Sequence, residues 1–246
     1  AEARWASVLR GLILVMPLRP WRRVVVQSAA GLVFLGSSLS QRSTCAAAPS
    51  PRQPASPKAV LWLHGLGDTG DGWRGQFQVQ GAKFFHPTAP VRRVTCNGGM
   101  SMTSWFDIQR IPVNIDEPES PTDINVSVAS VHEMLKDLES QGFAADHIML
   151  GGFSQGGTVS LIAGLSFPKT LGGVVSISGW CASRANPAAW ISKHGRRTPV
   201  LICYGDGDPI VDFKLTDTSA KLLQHELGDT VQALSPKRAM HQPSPL

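Results

Sequence analysis

One serine in the chain lies in a setting typical of a catalytic nucleophile. Gly152, Ser154 and Gly156 fit the pattern G-x-S-x-G, which follows the apolar segment "HIMLGG" and precedes "GGTVSLIAGL", a segment that can form a helix. In this pattern the serine occupies a strained turn between a strand and a helix, where side chains two residues to either side would clash. The sequence therefore predicts that Ser154 is a nucleophile; the alternative is a glycine-rich structural turn.

An acid and a base that would activate this serine follow it in the sequence. The segment "LICYGDGDPIV" offers Asp206 and Asp208, and we favour Asp208 because Pro209 and the apolar pair behind it would fix the turn. In one common order of such triads, the histidine comes after the acid. Of the two histidines that qualify, His225 lies in an amphipathic segment typical of a helix face. We therefore predict His241 as the base.

Two backbone N–H groups would stabilise the oxyanion that forms when the serine attacks a carbonyl carbon. The loop "LHGLGDTGDGW" follows an early apolar strand, and we predict the N–H groups of Leu66 and Gln155 as the donors. The helix after the serine would add the positive end of its dipole. His64 precedes the nucleophile in the sequence, so we expect it to brace this loop rather than to act as the base.

Predicted strands and helices, which would carry these residues, alternate along the chain from Lys58 onward. Apolar runs of strand length occupy residues 58–63, 147–152, 171–178 and 198–205, and "DTVQALS" is a candidate edge strand. Helical periodicity occupies residues 122–141, 156–166 and 213–227. Continuous apolar strands separated by helices predict a single α/β domain, with a mostly parallel central sheet and helices on both faces.

The N-terminal segment differs in composition from the rest of the chain. Residues 1–57 carry seven Arg and one Glu, whereas residues 58–246 carry a net charge of −1, so the overall net charge of +5 belongs to this segment. We therefore predict no nucleic-acid partner. The longest apolar run here, about 13 residues, is shorter than the ~20 that a spanning helix needs, which disfavours a membrane anchor.

We interpret residues 1–57 as an N-terminal extension and residues 58–246 as the catalytic domain. The extension has the features of a secretory signal or an organellar transit peptide, and translated upstream sequence before Met16 is the alternative. Its last part, "APSPRQPASP", is typical of a disordered linker. The four cysteines, Cys45, Cys96, Cys181 and Cys203, are widely spaced, which indicates reduced thiols and neither a metal site nor a disulfide framework.

Four collinear motifs resemble those of the acyl-protein thioesterase and lysophospholipase family, small α/β-hydrolases related to short-chain carboxylesterases. They are "LHGLGDTGDGW", "PTAPVRRVTCNGGMSMTSWFDI", "GGFSQGG" and "GDGDPIV". The resemblance implies an α/β-hydrolase fold and the triad and oxyanion donors predicted above. It also implies Trp105, in "SWFDI", as an aromatic near the acyl site; a core tryptophan is the alternative.

The same resemblance implies a function without metal or cofactor. The protein would hydrolyse acyl thioesters, as in depalmitoylation of proteins, or carboxylic esters, as a lysophospholipase or general carboxylesterase does. Its partner would be an acylated protein or lipid ester, with at most peripheral membrane contact. A cytoplasmic location is implied, unless the extension directs the protein to an organelle or the secretory route.

The end of the chain departs from the family pattern. Met240 precedes His241 as in the family, but Arg238 takes the place of a usual glycine. The last residues, "QPSPL", contain two prolines that prevent a regular helix, where the family has a closing amphipathic one. We expect an apolar strip of the sheet to be uncovered as a result. A second hypothesis is therefore an acyl-binding protein with impaired catalysis.

Overall fold

A parallel sheet forms the centre of the structure, a computed structural model that describes residues 58–76, 78–116, 121–182, 186–235 and 241. Within these ranges the strands are β1 (Lys58–Leu63), β2 (Ala82–Phe85), β3 (Val91–Arg93), β4 (Ser101–Thr103), β5 (Ile148–Phe153), β6 (Gly173–Ile177), β7 (Val200–Cys203) and β8 (Val231–Leu234). The α-helices are α1 (Pro121–Ser140), α2 (Gln155–Ser166), α3 (Pro187–Trp190) and α4 (Phe213–Leu227). The predictions for residues 1–57, including Cys45, lie outside the described residues.

The strand order of the main sheet is β2-β1-β5-β6-β7-β8, and every neighbouring pair is parallel. Strands β3 and β4 form a separate antiparallel pair. Because parallel strands end at the same edge, the segments after β1, β5 and β7 meet there, and they carry the candidate site residues Leu66, Ser154, Gln155 and Asp208. The mostly parallel sheet that the sequence predicts is therefore confirmed.

The predicted strands and helices correspond to observed elements with ends shifted by one or two residues. Strands β5, β6 and β7 are buried along their whole length, which explains why each is a continuous apolar run. Within β5, a side chain at Gly151 would come within 2.6 Å of the Trp62 ring, so a glycine is needed beside that large residue. The sequence analysis missed β2, β3, β4 and α3, which are short and partly exposed.

Alternate residues of the strands contribute to two apolar clusters, one on each face of the sheet. The first cluster contains the apolar side of α1 and α4 and the interior of α2. The second contains strand residues that are 0–6% exposed, namely Val60, Trp62, Met149, Phe153, Val175, Ile177, Leu201 and Cys203. Trp73, Ala82 and Phe84 pack against them. The expectation of an uncovered apolar strip is therefore wrong for these residues.

His64 braces the loop that follows β1, as expected. Its Nε2 accepts a hydrogen bond from the N–H of Ala89 at 2.9 Å, which assigns the ring proton to Nδ1. Nδ1 then donates to the carbonyl of Gly65 at 2.6 Å. The indole N–H of Trp105 donates to the carbonyl of His64 at 2.9 Å. The fully buried ring is therefore neutral and satisfied on both nitrogens.

No helix in the described ranges is long and apolar enough to span a membrane.

We predict that Leu135→Ala destabilises the protein by about 2–5 kcal/mol, because its side chain is fully buried in the first cluster and truncation leaves a cavity. Val126→Ala on the same helix is the matched control; that side chain is 58% exposed, so we expect a change within about 0.5 kcal/mol. Urea unfolding measures both. Equal losses in the two variants would contradict the packing of α1 on the sheet.

Acid should destabilise the protein partly through His64. Burial lowers the pKa of His64 below its ordinary value of 6.5. The unfolded chain therefore binds a proton that the folded protein does not, and the stability present above about pH 6.5 is lost as the pH falls through the lowered pKa. We expect His64→Gln, which keeps an acceptor for Ala89, to lose less unfolding free energy than wild type between about pH 7 and pH 5.

The control for this experiment is His225→Gln, because the His225 side chain is 85% exposed. It should retain the wild-type pH dependence. Burial also lowers the pKa values of His86 and His132, so some acid sensitivity should remain without His64. An unchanged pH dependence in His64→Gln would show that this ring is not kept neutral by the fold.

Candidate active site

Ser154 occupies the strained turn that the sequence predicts. It connects β5 to α2 with φ 52° and ψ −119°, a conformation that residues other than glycine rarely adopt. A side chain on Gly152 would come within 2.5 Å of the Gly156 backbone, and one on Gly156 within 2.3 Å of the Leu63 carbonyl oxygen. The two glycines therefore let α2 begin directly against β1 and β5, with Ser154 at the carboxyl edge of the sheet.

Asp208 uses both carboxylate oxygens. Oδ1 accepts hydrogen bonds from the N–H groups of Ile210 at 2.8 Å and Val211 at 2.9 Å, while Oδ2 lies 2.7 Å from Nδ1 of His241. The residues after Asp208 thus fix the carboxylate through their backbone, and the second oxygen points at the imidazole. The alternative acid, Asp206, is exposed, and the alternative base, His225, lies on the solvated side of α4.

His241 lies beside the nucleophile turn. Its ring centroid is 4.8 Å from that of Phe153, the residue before Ser154, and the planes are inclined by 47°. The side chains of His241 and Asp208 are 7% and 3% exposed, so their hydrogen bond is shielded from water. The structure thus brings the three predicted triad residues to one edge of the sheet, although they are separated by up to 87 positions in the sequence.

The two predicted oxyanion donors belong to segments that lie next to Ser154. A Cβ atom added to Gly65 would be 3.5 Å from Cβ of Ser154, so the loop that contains Leu66 runs next to the serine. Gln155 is the first residue of α2, and N–H groups of a first turn have no acceptor within their helix. Strand β4 holds the loop, because the N–H of Gly67 donates to the carbonyl of Thr103 at 2.9 Å.

The side chain of Gln155 connects the nucleophile helix to the segment after β4. Its Oε1 accepts from the N–H of Trp105 at 2.8 Å, and its Nε2 donates to Oγ of Ser104 at 2.9 Å and to the carbonyl of Phe106 at 2.6 Å. The hydroxyl of Ser127 in α1 donates to the Trp105 carbonyl. Since all these polar groups are buried, each depends on its partner.

Sequence reasoning did not identify Ser104 or Ser127 as parts of the site. Ser127 carried a signal, because it lies three residues after Ile124 and four before Val131, on the apolar stripe of α1, where a polar residue indicates a buried hydrogen bond. Ser104 carried none. Trp105 is 1% exposed, so the structure agrees with a core tryptophan, and its contact with an acyl chain stays a prediction.

The described residues include no cluster of three or more His, Cys, Asp or Glu that would hold a metal ion. Among the described residues, Cys96, Cys181 and Cys203 are not joined by disulfide bonds. Burial raises the pKa of Cys203 to about 12, so it stays protonated at neutral pH and is not a reactive thiolate.

Known proteins are similar to this chain in sequence. The chain is 37% identical to acyl-protein thioesterase 1 of Schizosaccharomyces pombe over 177 residues, which cover 70% of the chain and 78% of that protein. It is 36% identical to a probable carboxylesterase of Oryza sativa subsp. japonica over 186 residues, or 72% of the chain and 70% of that protein.

Solved structures are similar to this chain in fold. The crystal structure of Arabidopsis thaliana SOBER1 superposes with a TM-score of 0.70 at 29% sequence identity, covering 76% of this chain and 91% of that one. Acyl-protein thioesterase 2 of Zea mays superposes with a TM-score of 0.67 at 26% identity, covering 80% and 90%. The phospholipase/carboxylesterase family matches residues 43–244. This chain therefore belongs to the phospholipase/carboxylesterase family and is a hydrolase with the α/β-hydrolase fold.

Proposed function

We propose that this protein is a serine hydrolase that cleaves acyl thioesters or carboxylic esters through Ser154, His241 and Asp208. The buried hydrogen bond of 2.7 Å between Nδ1 of His241 and Oδ2 of Asp208 carries the proposal. It orients an imidazole beside a serine that is held in a strained turn, and these are the parts that activate a serine hydroxyl. The family membership supports the same chemistry.

The reaction would proceed in two steps. Nε2 of His241 takes the proton from Ser154 as Oγ attacks the carbonyl carbon, and the imidazolium then gives that proton to the leaving thiol or alcohol. The N–H groups of Leu66 and Gln155 stabilise the oxyanion. Water, activated by the same nitrogen, then hydrolyses the acyl-enzyme and releases the acid. The Asp208 carboxylate stabilises the imidazolium.

Asp208 can stabilise the imidazolium of His241 because its carboxylate is held in place. The N–H groups of Ile210 and Val211 occupy Oδ1, so the carboxylate does not rotate away from the imidazole. Because the pair is nearly excluded from water, the charge that develops on His241 interacts strongly with Asp208. This arrangement lowers the reorganisation that the active site needs during proton transfer.

The substrate class follows from the chemistry and from the relatives. Relatives at similar identity are named acyl-protein thioesterase and carboxylesterase, and both activities use the same triad and acyl-enzyme. We propose the S-acyl group of a lipidated protein as the first substrate class and a lipid ester, such as a lysophospholipid, as the second. Trp105 would then support the acyl site from the core rather than line it with an exposed face.

A fluorophosphonate probe, which reacts with activated serines, should label the wild-type protein and not Ser154→Ala. Ser178→Gly is the matched control, because Ser178 directly follows the neighbouring strand β6, has the same φ of 52° and is also buried. Glycine tolerates that conformation, so the fold should be kept and labelling should equal that of wild type. Labelling that persists in Ser154→Ala would overturn the assignment of the nucleophile.

The same assay tests the base. We expect His241→Ala to lower the labelling rate by roughly three orders of magnitude or more, as removal of a triad histidine does in general. An unchanged rate in His241→Ala would show that another group is the base. If wild-type protein is not labelled but binds a long-chain acyl analogue, the second hypothesis, an acyl-binding protein with impaired catalysis, replaces the proposal.

A comparison of three substrates should separate the activities. We expect hydrolysis of a palmitoyl-cysteine peptide with a higher kcat/KM than that of a lysophospholipid or a short p-nitrophenyl ester, since the proposed first substrate is an acylated protein. All three rates should disappear in Ser154→Ala. A higher kcat/KM for the lysophospholipid would instead assign a lysophospholipase, and a preference for the short ester would assign a general carboxylesterase.

A further inference from the structure

We propose that Phe153 is the positioning residue of the catalytic base, and that its ring holds the imidazole of His241 at the angle needed to reach Ser154. The inference rests on the proposed role of His241 as the base. Phe153 is the variable second residue of the G-x-S-x-G pattern, so the pattern itself assigns it no function.

The ring of Phe153 contacts the imidazole directly. The two centroids are 4.8 Å apart, with an interplanar angle of 47°, which is within the range of favourable aromatic contacts. Phe153 is the last residue of β5 and pairs with Ile177 of β6, so its backbone is fixed by the centre of the sheet. Since the next residue is Ser154, the nucleophile and the surface against which the base rests share one rigid stretch of backbone.

Other aromatic and backbone groups support the Phe153 ring. The Trp73 ring lies 5.6 Å from it, and the Trp62 ring lies 5.4 Å from Trp73. The indole N–H of Trp73 donates to Oδ2 of Asp68 at 2.8 Å, which connects this aromatic group to the loop that contains Leu66. A Cβ atom on Gly65 would lie 3.1 Å from Cδ1 of Phe153, so the loop itself touches the ring. The ring therefore has little freedom to turn away.

The second contact matters because one hydrogen bond does not fix an imidazole. The bond from Nδ1 to Asp208 leaves the ring free to pivot about the donor and acceptor atoms, and a pivot moves Nε2 away from the serine hydroxyl. Packing against the Phe153 ring opposes that motion. The side chain of His241 is only 7% exposed, which agrees with contact on more than one side. A displacement of about 1 Å at a reacting group can lower a rate about a hundredfold.

The test compares Phe153→Leu with Phe143→Leu. Phe143 is buried to a similar degree, at 8% against 6% exposed, but it precedes the start of β5, at the opposite end from Ser154, and its ring partner is Phe85. We expect Phe153→Leu to lower kcat and the fluorophosphonate labelling rate by about tenfold or more, with KM changed less than about twofold. Phe143→Leu should change both by less than about twofold, although it also destabilises the fold.

Rescue and a double-mutant cycle identify the route of the effect. Phe153→Tyr, which keeps the ring, should restore most of the rate. In a His241→Ala background, Phe153→Leu should have no further effect, because the ring acts through that imidazole. A further loss of similar size in this background would show that Phe153 acts on Ser154 or on the fold, and would overturn the proposal. Phe153→Met, which fills a similar volume without a ring, replaces Phe153→Leu if that variant does not fold.

The outcomes separate this proposal from the proposed function. If His241→Ala reacts as fast as wild type, His241 is not the base and the proposed triad fails. If His241→Ala loses labelling while Phe153→Leu behaves like Phe143→Leu, the triad stands and the positioning role of Phe153 is wrong.

Discussion

The structure of the site depends on how closely α2 approaches strands β1 and β5. Gly152 and Gly156 have no space for a side chain, because backbone atoms would lie within 2.3–2.5 Å of a Cβ atom at either position. This contact forces Ser154 into its strained conformation and presents its hydroxyl above the sheet. It also places the first N–H groups of α2 beside the loop after β1. The position of Ser154, its backbone strain and the position of the predicted oxyanion donor in α2 thus have the same physical cause.

Buried hydrogen bonds extend this arrangement to parts of the chain that are distant in sequence. Gln155 is fully buried and its amide bonds to three residues of the segment after β4, while Ser127 of α1 bonds to the same segment. A buried amide without partners is costly, so these bonds fix the segment and α1 together. The indole of Trp105 completes the connection by donating to the carbonyl of His64. The loop that contains Leu66 is therefore held by a network that extends beyond the loop itself.

The position of His241, the proposed base, depends on contacts of its side chain and not on backbone packing. Asp208 is oriented by backbone N–H groups of its own turn, and His241 is oriented by Asp208 and by the ring of Phe153. Within the described part of the chain, His241 contacts the site through its bond to Asp208 and the ring of Phe153, so its position is sensitive to both. The strained serine and the network around Gln155 would persist in a protein that lost this contact. We therefore expect the loss of this contact to affect the proposed catalysis more than the stability of the fold.

The sequence alone predicts the parallel sheet, the strained turn around Ser154 and the order of the triad candidates. Continuous apolar strands, paired glycines and a turn after a buried strand are local patterns with local physical causes. It did not determine the short strands β2, β3 and β4, whose few residues carry little periodicity, or the partners of Gln155. The sequence predicts Asp208 and His241 as acid and base only from their order; the tertiary structure brings the two together and places Phe153 against the imidazole. Residues 33 and 88 positions apart become neighbours only when the strands that carry them end at one edge of the sheet.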